Sequence, residues 1–476
     1  MKISRPEQKR VSEWFLDIAK KSQLFDYGPV KGTIIIRPYA YAIWEKIQKI
    51  LDNKIKALGC KNTYFPLLIP ENLLSKEKEH IKGFSPELAV VNYVGGEKLQ
   101  ESLVVRPTSE TIMYLLFSKW ISSWRDLPLK INQWANVVRW ELRPFPFLRT
   151  TEFLWQEGHT VHATLEEASK QTKDALEIYR FLFEEVLAIP VIIGKKTERE
   201  KFAGALYSTS CEALLIDGKA LQIATSHNLG QNFSKTFEIY FQNKKGKKEL
   251  VWQTSWGLST RSLGGIFLTH GDIKGLIIPP AVAPIPVIII PIYKNNNEKK
   301  IVLKKCLMIL ESIKKRGIEA EVDFRELVTP GWKFNDWEVK GVPLRIEVGP
   351  KEIEKQSVII VRRDTGEKII IFMNDLVKSV PKILNQIQKN LFKRAKQFVD
   401  ENTHTTKTFK EFSDIIENKR GFIKATWCGD SECEKTIKEK TKATTRSISL
   451  EKEKIFGTCF YCGKMGKYNP VWARAH

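Results

Sequence analysis

Apolar residues recur at helical spacing from residue 5 to residue 23, with Val11, Trp14, Phe15 and Ile18 on one face. A looped strand leads to Pro38. A longer helix from Tyr39 to Leu58 then carries Ile43, Ile47, Ile50, Leu51 and Ile55 before Gly59 stops it. Thr63–Pro70 reads as one strand closed by prolines. The apolar Leu103-Val104-Val105 passes through Arg106-Pro107-Thr108-Ser109-Glu110 into a helix from Thr111 to Trp120. There Thr108 or Ser109 suits the N-cap, and Glu110 complements the dipole of the first turn. Residues 131–160 read as two strands rich in Val, Trp and Phe, from Ile131 to Glu141 and from Thr151 to His159. The connection Arg143–Arg149 holds Pro144 and Pro146 and is too long for a tight hairpin turn. Side chains alternate along a strand, so Arg139 and Glu141 share a face of the first, and Phe153, Trp155, Glu157 and His159 a face of the second.

Residues 166–187 form a further helix, and strands are expected near Ala220–Ala224 and Phe237–Phe241. Between those strands Gln222, Thr225, Ser226, His227, Asn228 and Gln231 collect in a polar, loop-like segment. Residues 251–267 give a strand, Gly257, and a segment with Arg261 and the pair Gly264-Gly265. From Pro279 the texture changes to a Pro-punctuated linker and the buried strand Val287–Ile292. A helix (about 299–315), a strand (Glu319–Phe324), a Trp/Lys-rich segment (Gly331–Lys340), strands at Pro343–Val348, Val358–Arg362 and Ile369–Phe372, and a helix to about Phe398 follow. That alternation describes a compact α/β domain.

At 476 residues the chain has room for two or three domains. Its net charge of +22 favours a polyanionic partner, nucleic acid before membrane, since no basic amphipathic helix or lipidation signal stands out. No signal peptide is read in the first 25 residues, and the longest apolar run, Ala281–Tyr293, holds three prolines and is too short for a bilayer. Seven cysteines, four of them near the C-terminus, point to reduced thiols, a metal site and a cytoplasmic setting with no membrane role. Cys428-x4-Cys433, 25 residues, then Cys459-x2-Cys462 fits a closed four-thiolate zinc site that staples a lysine-rich module.

If the faces of the two central strands coincide, they carry a guanidinium, two carboxylates, an imidazole and two large aromatic rings. Such a face suits a ligand with a phosphate, a flat heterocycle and a cationic group. An amphipathic hairpin with an internal salt bridge is the competing reading. Neither GxxxxGK[ST] nor GxGxxG occurs, which leaves Walker and Rossmann nucleotide binding unsupported.

Together these segments resemble a class II aminoacyl-tRNA synthetase, and among them the prolyl-tRNA synthetases of archaeal/eukaryotic-like type, over nearly the whole chain. Ala57-Leu58-Gly59 to Pro66 looks like motif 1, Arg139-Trp140-Glu141 through Phe153 like motif 2, and Gly257 to Arg261 like motif 3. Arg106–Glu110, Phe153–His159 and Thr225–Phe233 resemble signatures of the prolyl enzymes. The resemblance implies an α+β fold. A seven-stranded antiparallel sheet with flanking helices would span residues 1–282, an α/β anticodon-binding domain 283–385, and a small zinc-bearing α+β domain 386–476. It also implies a homodimer through motif 1, and anticodon contacts near Trp332–Lys340 and Arg345. Motifs 2 and 3 lie too close for the large editing insertion of bacterial-type enzymes, so mischarged alanine would be cleared by another protein. One departure is the ending Ala473-Arg474-Ala475-His476, where the family commonly ends in a Tyr whose carboxylate points towards the active site.

The implied reaction joins L-proline to proline tRNA through prolyl-adenylate. The resemblance makes Arg139 and Arg261 the catalytic residues, Arg139 bridging the carboxylate and α-phosphate. ATP would also meet Glu141, Arg149, Thr150, Phe153, Gln222 and Thr225, with Mg2+ among its phosphates. Thr108, Glu110 and His227 would meet the proline nitrogen. Phe84, Trp155, Glu157, His159 and Phe202 would line the ring pocket, above Ser255 and Gly257. The zinc ligands would be Cys428, Cys433, Cys459 and Cys462. Two rival readings compete: another class II synthetase, such as a threonyl or glycyl enzyme, or an RNA-binding protein on a synthetase scaffold. The joint presence of Arg139, Glu141, Phe153 and Arg261 argues against the second, because a pure binder has no use for an ATP grip.

Overall fold

A computed structural model describes residues 5–75, 88–451, 453–455 and 457–476. Strands that present one apolar and one polar face assemble into a seven-stranded sheet. In chain order they are Lys61–Asn62 (β1), Leu129–Val138 (β2), Glu152–His162 (β3), Val191–Lys195 (β4), Tyr207–Leu214 (β5), Ala220–Gly230 (β6) and Trp252–Ser259 (β7). They lie in the order β1-β2-β3-β7-β6-β5-β4. β1 runs parallel to β2, and every other pairing is antiparallel. On one face Trp256, Leu258, Leu221, Ile223 and Cys211 meet helices Val11–Lys21, Pro38–Ala57, Leu165–Phe181 and Arg261–His270. The expected helix faces are the ones buried: Val11, Phe15 and Ile18 of the first helix, and Ile43, Ile47, Leu51 and Ile55 of the second. At such a position Ile47→Ala costs about 2–5 kcal/mol through lost transfer energy and the cavity left behind. Trp14 instead stays at the rim and donates its indole N–H to Asp272 O at 3.0 Å. Helix Glu110–Trp120 covers part of the sheet's other face, through Met113, Tyr114 and Phe117 against Ile131, Val161 and Leu229.

The fold departs from three expectations. Thr63–Pro70 is not one strand. Lys61–Asn62 joins the large sheet, whereas Leu68–Pro70 pairs with Glu97–Val105 in a separate three-stranded sheet. The break falls where Pro66 has no N–H to give, and the Phe65 carbonyl turns instead to Arg106 Nη1 at 2.6 Å. β2 ends at Val138, so Arg139 and Glu141 do not share a strand face. Arg139 keeps one ladder bond, N–H to Thr151 O at 2.8 Å, and Glu141 lies beyond it. The polar segment Gln222–Gln231 is no loop, because β6 runs on to Gly230. Its buried polar groups find partners, Ser226 Oγ donating to Thr172 O at 2.9 Å and Asn228 Nδ2 to Ser169 Oγ at 3.2 Å. The Trp/Lys-rich segment is a helix, Pro330–Val339, started by Pro at N1 with Thr329 accepting from Trp332 N–H.

A five-stranded sheet follows, ordered Ala320–Val322, Val287–Pro291, Leu344–Val348, Ser357–Arg362, Lys368–Phe372, with helix Asn296–Lys314 against it. Helix Met373–Glu401 then runs unbroken across residues 385 and 386. Beyond it, strands Thr403–Thr405, Phe422–Lys424, Val471–Arg474 and Ala443–Ser447 make a four-stranded sheet with helices Phe409–Asp414 and Ser431–Thr441. The last residues return to the large sheet. His476 N–H donates to Ala220 O at 3.0 Å, and its Nε2 lies 2.7 Å from Asp217 Oδ2. Among the described residues no helix is long and apolar enough to cross a membrane.

Candidate active site

Strand register does most of the assembly. Gln133, Glu157, Gly257 and Thr225 stand in one row across β2, β3, β7 and β6. His159, Ser255, His227 and Ser208 stand in a second row across β3, β7, β6 and β5. Because directly opposed residues point to the same face, these rows, apart from the fully buried Gln133, pave the floor of a cavity of about 320 Å3. Gly257 leaves the floor bare, and Gly158 allows Trp256 to pack on the far side, where a Cβ would come within 2.3 Å of its ring.

One end of the cavity is a dense polar cluster. Glu157, 3% exposed, accepts from Gln133 Nε2 at 2.8 Å and from Ser109 Oγ, and its Oε2 lies 3.1 Å from His159 Nε2. His159 Nδ1 meets Tyr114 Oη at 3.1 Å. Burial pulls the His159 pKa down, but the Glu157 hydrogen bond and charge, with Glu110, outweigh it and leave it above the ordinary value. Ser109 is the N-cap residue of its helix but makes no capping bond. Its hydroxyl serves Glu157 instead, and Thr108 donates to Glu110. His227 is held neutral, its pKa pushed down to about 3 by burial and by His159 and Lys196. Its ring lies 4.9 Å from that of Phe202.

At the other end stand the cations. Arg139 Nε donates to Pro107 O at 3.0 Å, and its guanidinium lies 5.6 Å from the ring centroids of both Phe153 and Trp155. Arg261 opens helix Arg261–His270, with Nε donating to Leu148 O at 3.1 Å and Nη1 to Gln222 O at 3.2 Å. Burial first, then Arg139 and Arg149, lower its pKa to about 10, and Glu212 and Glu141 oppose them. It therefore stays charged at neutral pH. Gly264 lets the 143–149 connection lie on this helix, since a Cβ there would sit 2.5 Å from Leu148 Cδ2.

Of the residues singled out from sequence, Thr108, Glu110, Arg139, Phe153, Trp155, Glu157 and His159 line the cavity. So do Phe202, Gln222, Thr225, His227, Ser255, Gly257 and Arg261. Glu141, Arg149 and Thr150 do not line it. Glu141 and Arg149 act on Arg261 through charge alone, and Thr150 is buried. Phe84 lies outside the described residues. Sequence reasoning missed Lys196, Glu200, Lys201, Ser208 and Ser259. A period-two signal, Ser208, Ser210 and Glu212 on Tyr207–Leu214, was there to mark β5 as polar-faced.

The four tail cysteines converge, with all sulfurs within 4.8 Å of one another, Cys433–Cys459 at 3.8 Å and Cys428–Cys462 at 3.6 Å. Tetrahedral zinc with Zn–S bonds of about 2.3 Å needs S–S edges of about 3.8 Å, so the donor set fits.

Two further histidines give a pH prediction. His270 at about 3 and His162 at about 4 are depressed by burial first. Arg394 and Arg5 add to this at His270, where a bond to Leu187 O opposes it, and Lys130 adds to it at His162. The unfolded chain takes up these protons first, so their stability is complete above about pH 6.5 and is lost as pH falls towards 4. His159, with its raised pKa, acts in the opposite sense. Half-buried His227, on the cavity wall, adds less. The thermal midpoint should fall by more than about 5 °C from pH 7.5 to pH 5. A flat profile would show that these rings are not buried as neutral imidazoles.

Residues 93–270 match the tRNA synthetase class II core domain (G, H, P, S and T), residues 286–383 an anticodon binding domain, and residues 409–476 the prolyl-tRNA synthetase C-terminal domain. The architecture and its cavity are those of a class II aminoacyl-tRNA synthetase. A proline–tRNA ligase of Natranaerobius thermophilus is 50% identical over 473 residues, covering 99% of this chain and 97% of the relative. Proline–tRNA ligase 2 of Bacillus cereus is 50% identical over 465 residues, covering 98% and 97%. The chain belongs to the proline–tRNA ligase family.

Proposed function

We propose that the cavity is where L-proline and ATP meet. Membership of the family carries the reaction: L-proline is joined to the 3′ end of proline tRNA with ATP, through prolyl-adenylate, releasing pyrophosphate and AMP. Proline's carboxylate is already a nucleophile at neutral pH. Activation therefore needs in-line placement and charge neutralisation rather than a general base. The observation that carries the residue assignment is the meeting in one cavity of Arg139 and Arg261 at one end with Glu157, His159 and Glu110 at the other.

Arg139 and Arg261 are the catalytic pair, neutralising charge on the α-phosphate and the attacking carboxylate. Arg139 lies beside Phe153, whose ring covers adenine, and Arg261 lies over the opposite face. Gln222 and Thr225 add polar contacts to ATP. Arg149, on the motif 2 connection, would hold the γ-phosphate end of ATP, with Glu141 and Thr150 adding polar contacts to the nucleotide. Mg2+ would accompany ATP among its phosphate oxygens, with Gln222 nearby. Thr108, Glu110 and neutral His227 meet the proline ammonium. Trp155, Glu157, His159 and Phe202 enclose the ring over Ser255 and Gly257. Cys428, Cys433, Cys459 and Cys462 would hold a structural Zn2+, which would staple the last module.

Exposed Tyr64 and Leu68, in the segment after helix Pro38–Ala57, supply apolar area for a homodimer through motif 1. Arg325, 4.9 Å from the ring of exposed Trp332, offers a stacking surface for an anticodon base. Arg345, 4.3 Å from the ring of Phe334, lies on strand Leu344–Val348. The seven free cysteines and the tRNA substrate support a cytoplasmic setting.

The test is amino-acid-dependent ATP–pyrophosphate exchange without tRNA, with proline beside threonine, glycine, alanine and cysteine. Proline should dominate. Alanine should be rejected only modestly, since missing methylenes are worth about 1–3 kcal/mol. Exchange led by threonine or glycine would overturn the pocket assignment and keep the fold.

A further inference from the structure

Glu212 stands mid-strand on β5 with no side-chain exposure, and a carboxylate so deep requires partners. They come from two distant parts of the chain. Its Oε1 accepts from Lys196 Nζ at 2.6 Å and from Ser210 Oγ at 2.9 Å. Its Oε2 accepts from Arg446 Nε at 2.9 Å and Nη2 at 2.7 Å. Arg446 lies on strand Ala443–Ser447 of the four-cysteine module, and its carbonyl accepts from Lys196 at 3.0 Å. The module is fastened here twice more. Ile448 and Lys195 exchange both backbone hydrogen bonds, at 2.8 and 2.9 Å, and Thr197 Oγ1 donates to Glu434 at 2.9 Å.

This network lies directly behind the cavity. Lys196 is one of the cavity's lining cations, and the charge of Glu212 reaches Arg261. Burial pushes the Glu212 carboxyl up, yet Lys196 and Arg446 outweigh it and hold it below the ordinary carboxylate value. One buried anion thus contacts two cations, one of them in the cavity. If Arg446 were absent, the whole charge of Glu212 would fall on Lys196. It would then compete with any phosphate for that ammonium, most strongly where water is excluded.

We propose that Arg446 is a positioning residue for proline activation: by occupying Oε2 of Glu212, it takes up part of that carboxylate's charge and so loosens the hold of Glu212 on Lys196, whose ammonium lines the cavity and can then meet the ATP phosphates. The C-terminal module thereby tunes the nucleotide end of a site to which it contributes no lining residue. The inference rests on the assignment of the cavity to proline activation.

The experiment measures KM for ATP and for proline in pyrophosphate exchange with the full-length enzyme. Arg446→Met should raise the ATP KM at least tenfold, with the proline KM changed less than threefold. Arg446→Lys, which keeps the charge, should return the ATP KM to within threefold of wild type. A folded Arg446→Met enzyme with both KM values within twofold of wild type, or with only a uniform fall in kcat, overturns the positioning role. If the stranded Glu212 charge prevents that variant from folding, Arg446→Gln, which keeps a hydrogen-bond donor for Oε2 without the positive charge, decides. An ATP KM raised at least fivefold supports the proposal, and one within twofold overturns it. Arg139→Ala measured alongside separates the two levels. Exchange surviving Arg139→Ala defeats the cavity assignment itself, whereas its loss beside an unaffected Arg446→Met defeats the positioning role alone.

Discussion

Replacing Arg139 with alanine is expected to lower proline-dependent pyrophosphate exchange about a thousandfold while leaving the melting temperature nearly unchanged. Half-buried Arg139 gives Nε to Pro107 O and lies beside Phe153 and Trp155. Losing one preorganised donor at developing charge costs about 2.7–4 kcal/mol of transition-state stabilisation. Arg139 belongs at the upper end, because two anions must be brought together against their repulsion. Arg261→Ala should lose both activity and stability, since that guanidinium ties Leu148 O of the motif 2 connection to Gln222 O of β6. Exchange kinetics paired with thermal unfolding will separate the two. Near-wild-type exchange in a folded Arg139→Ala enzyme would remove Arg139 from the chemistry.

The second large effect is expected at the tail. Cys428→Ser combined with Cys462→Ser should reduce zinc, measured by elemental analysis, to near zero, and should lower the melting temperature by more than about 10 °C. The module's core is small. Phe412, Ile437, Phe460 and Trp472 cluster around the cysteines themselves, so the metal would hold what little apolar volume there is. The loss would spread, because the same module carries Arg446 and Ile448 onto the large sheet. Unchanged zinc content in the double variant would rule out this ligand set.

Much of this is legible in the chain. The two long amphipathic helices, the motif 2 strands, the alternating α/β segment and the cysteine spacing carry local signals, in which periodicity and separation speak for themselves. Phe153, Trp155, Glu157 and His159 share a face because a strand alternates, and that face does line the cavity. β6 reads as a loop from sequence because its polar residues are satisfied by helix Leu165–Phe181, a partner far away in the chain. Arg139 and Glu141 part because the ladder stops at Val138.

The sequence by itself determined the chemistry on offer: which strands carry guanidinium, carboxylate and imidazole groups, and which thiols are spaced for a metal. Only the tertiary structure decided which of them meet. Register across β2, β3, β7, β6 and β5 aligned Glu157 with Thr225 and His159 with His227. A bond spanning 234 residues brought Arg446 to Glu212 beneath Lys196. Local pattern sets what each side chain can do, but its neighbours are set by packing and strand pairing between distant segments, which no periodicity within one segment encodes.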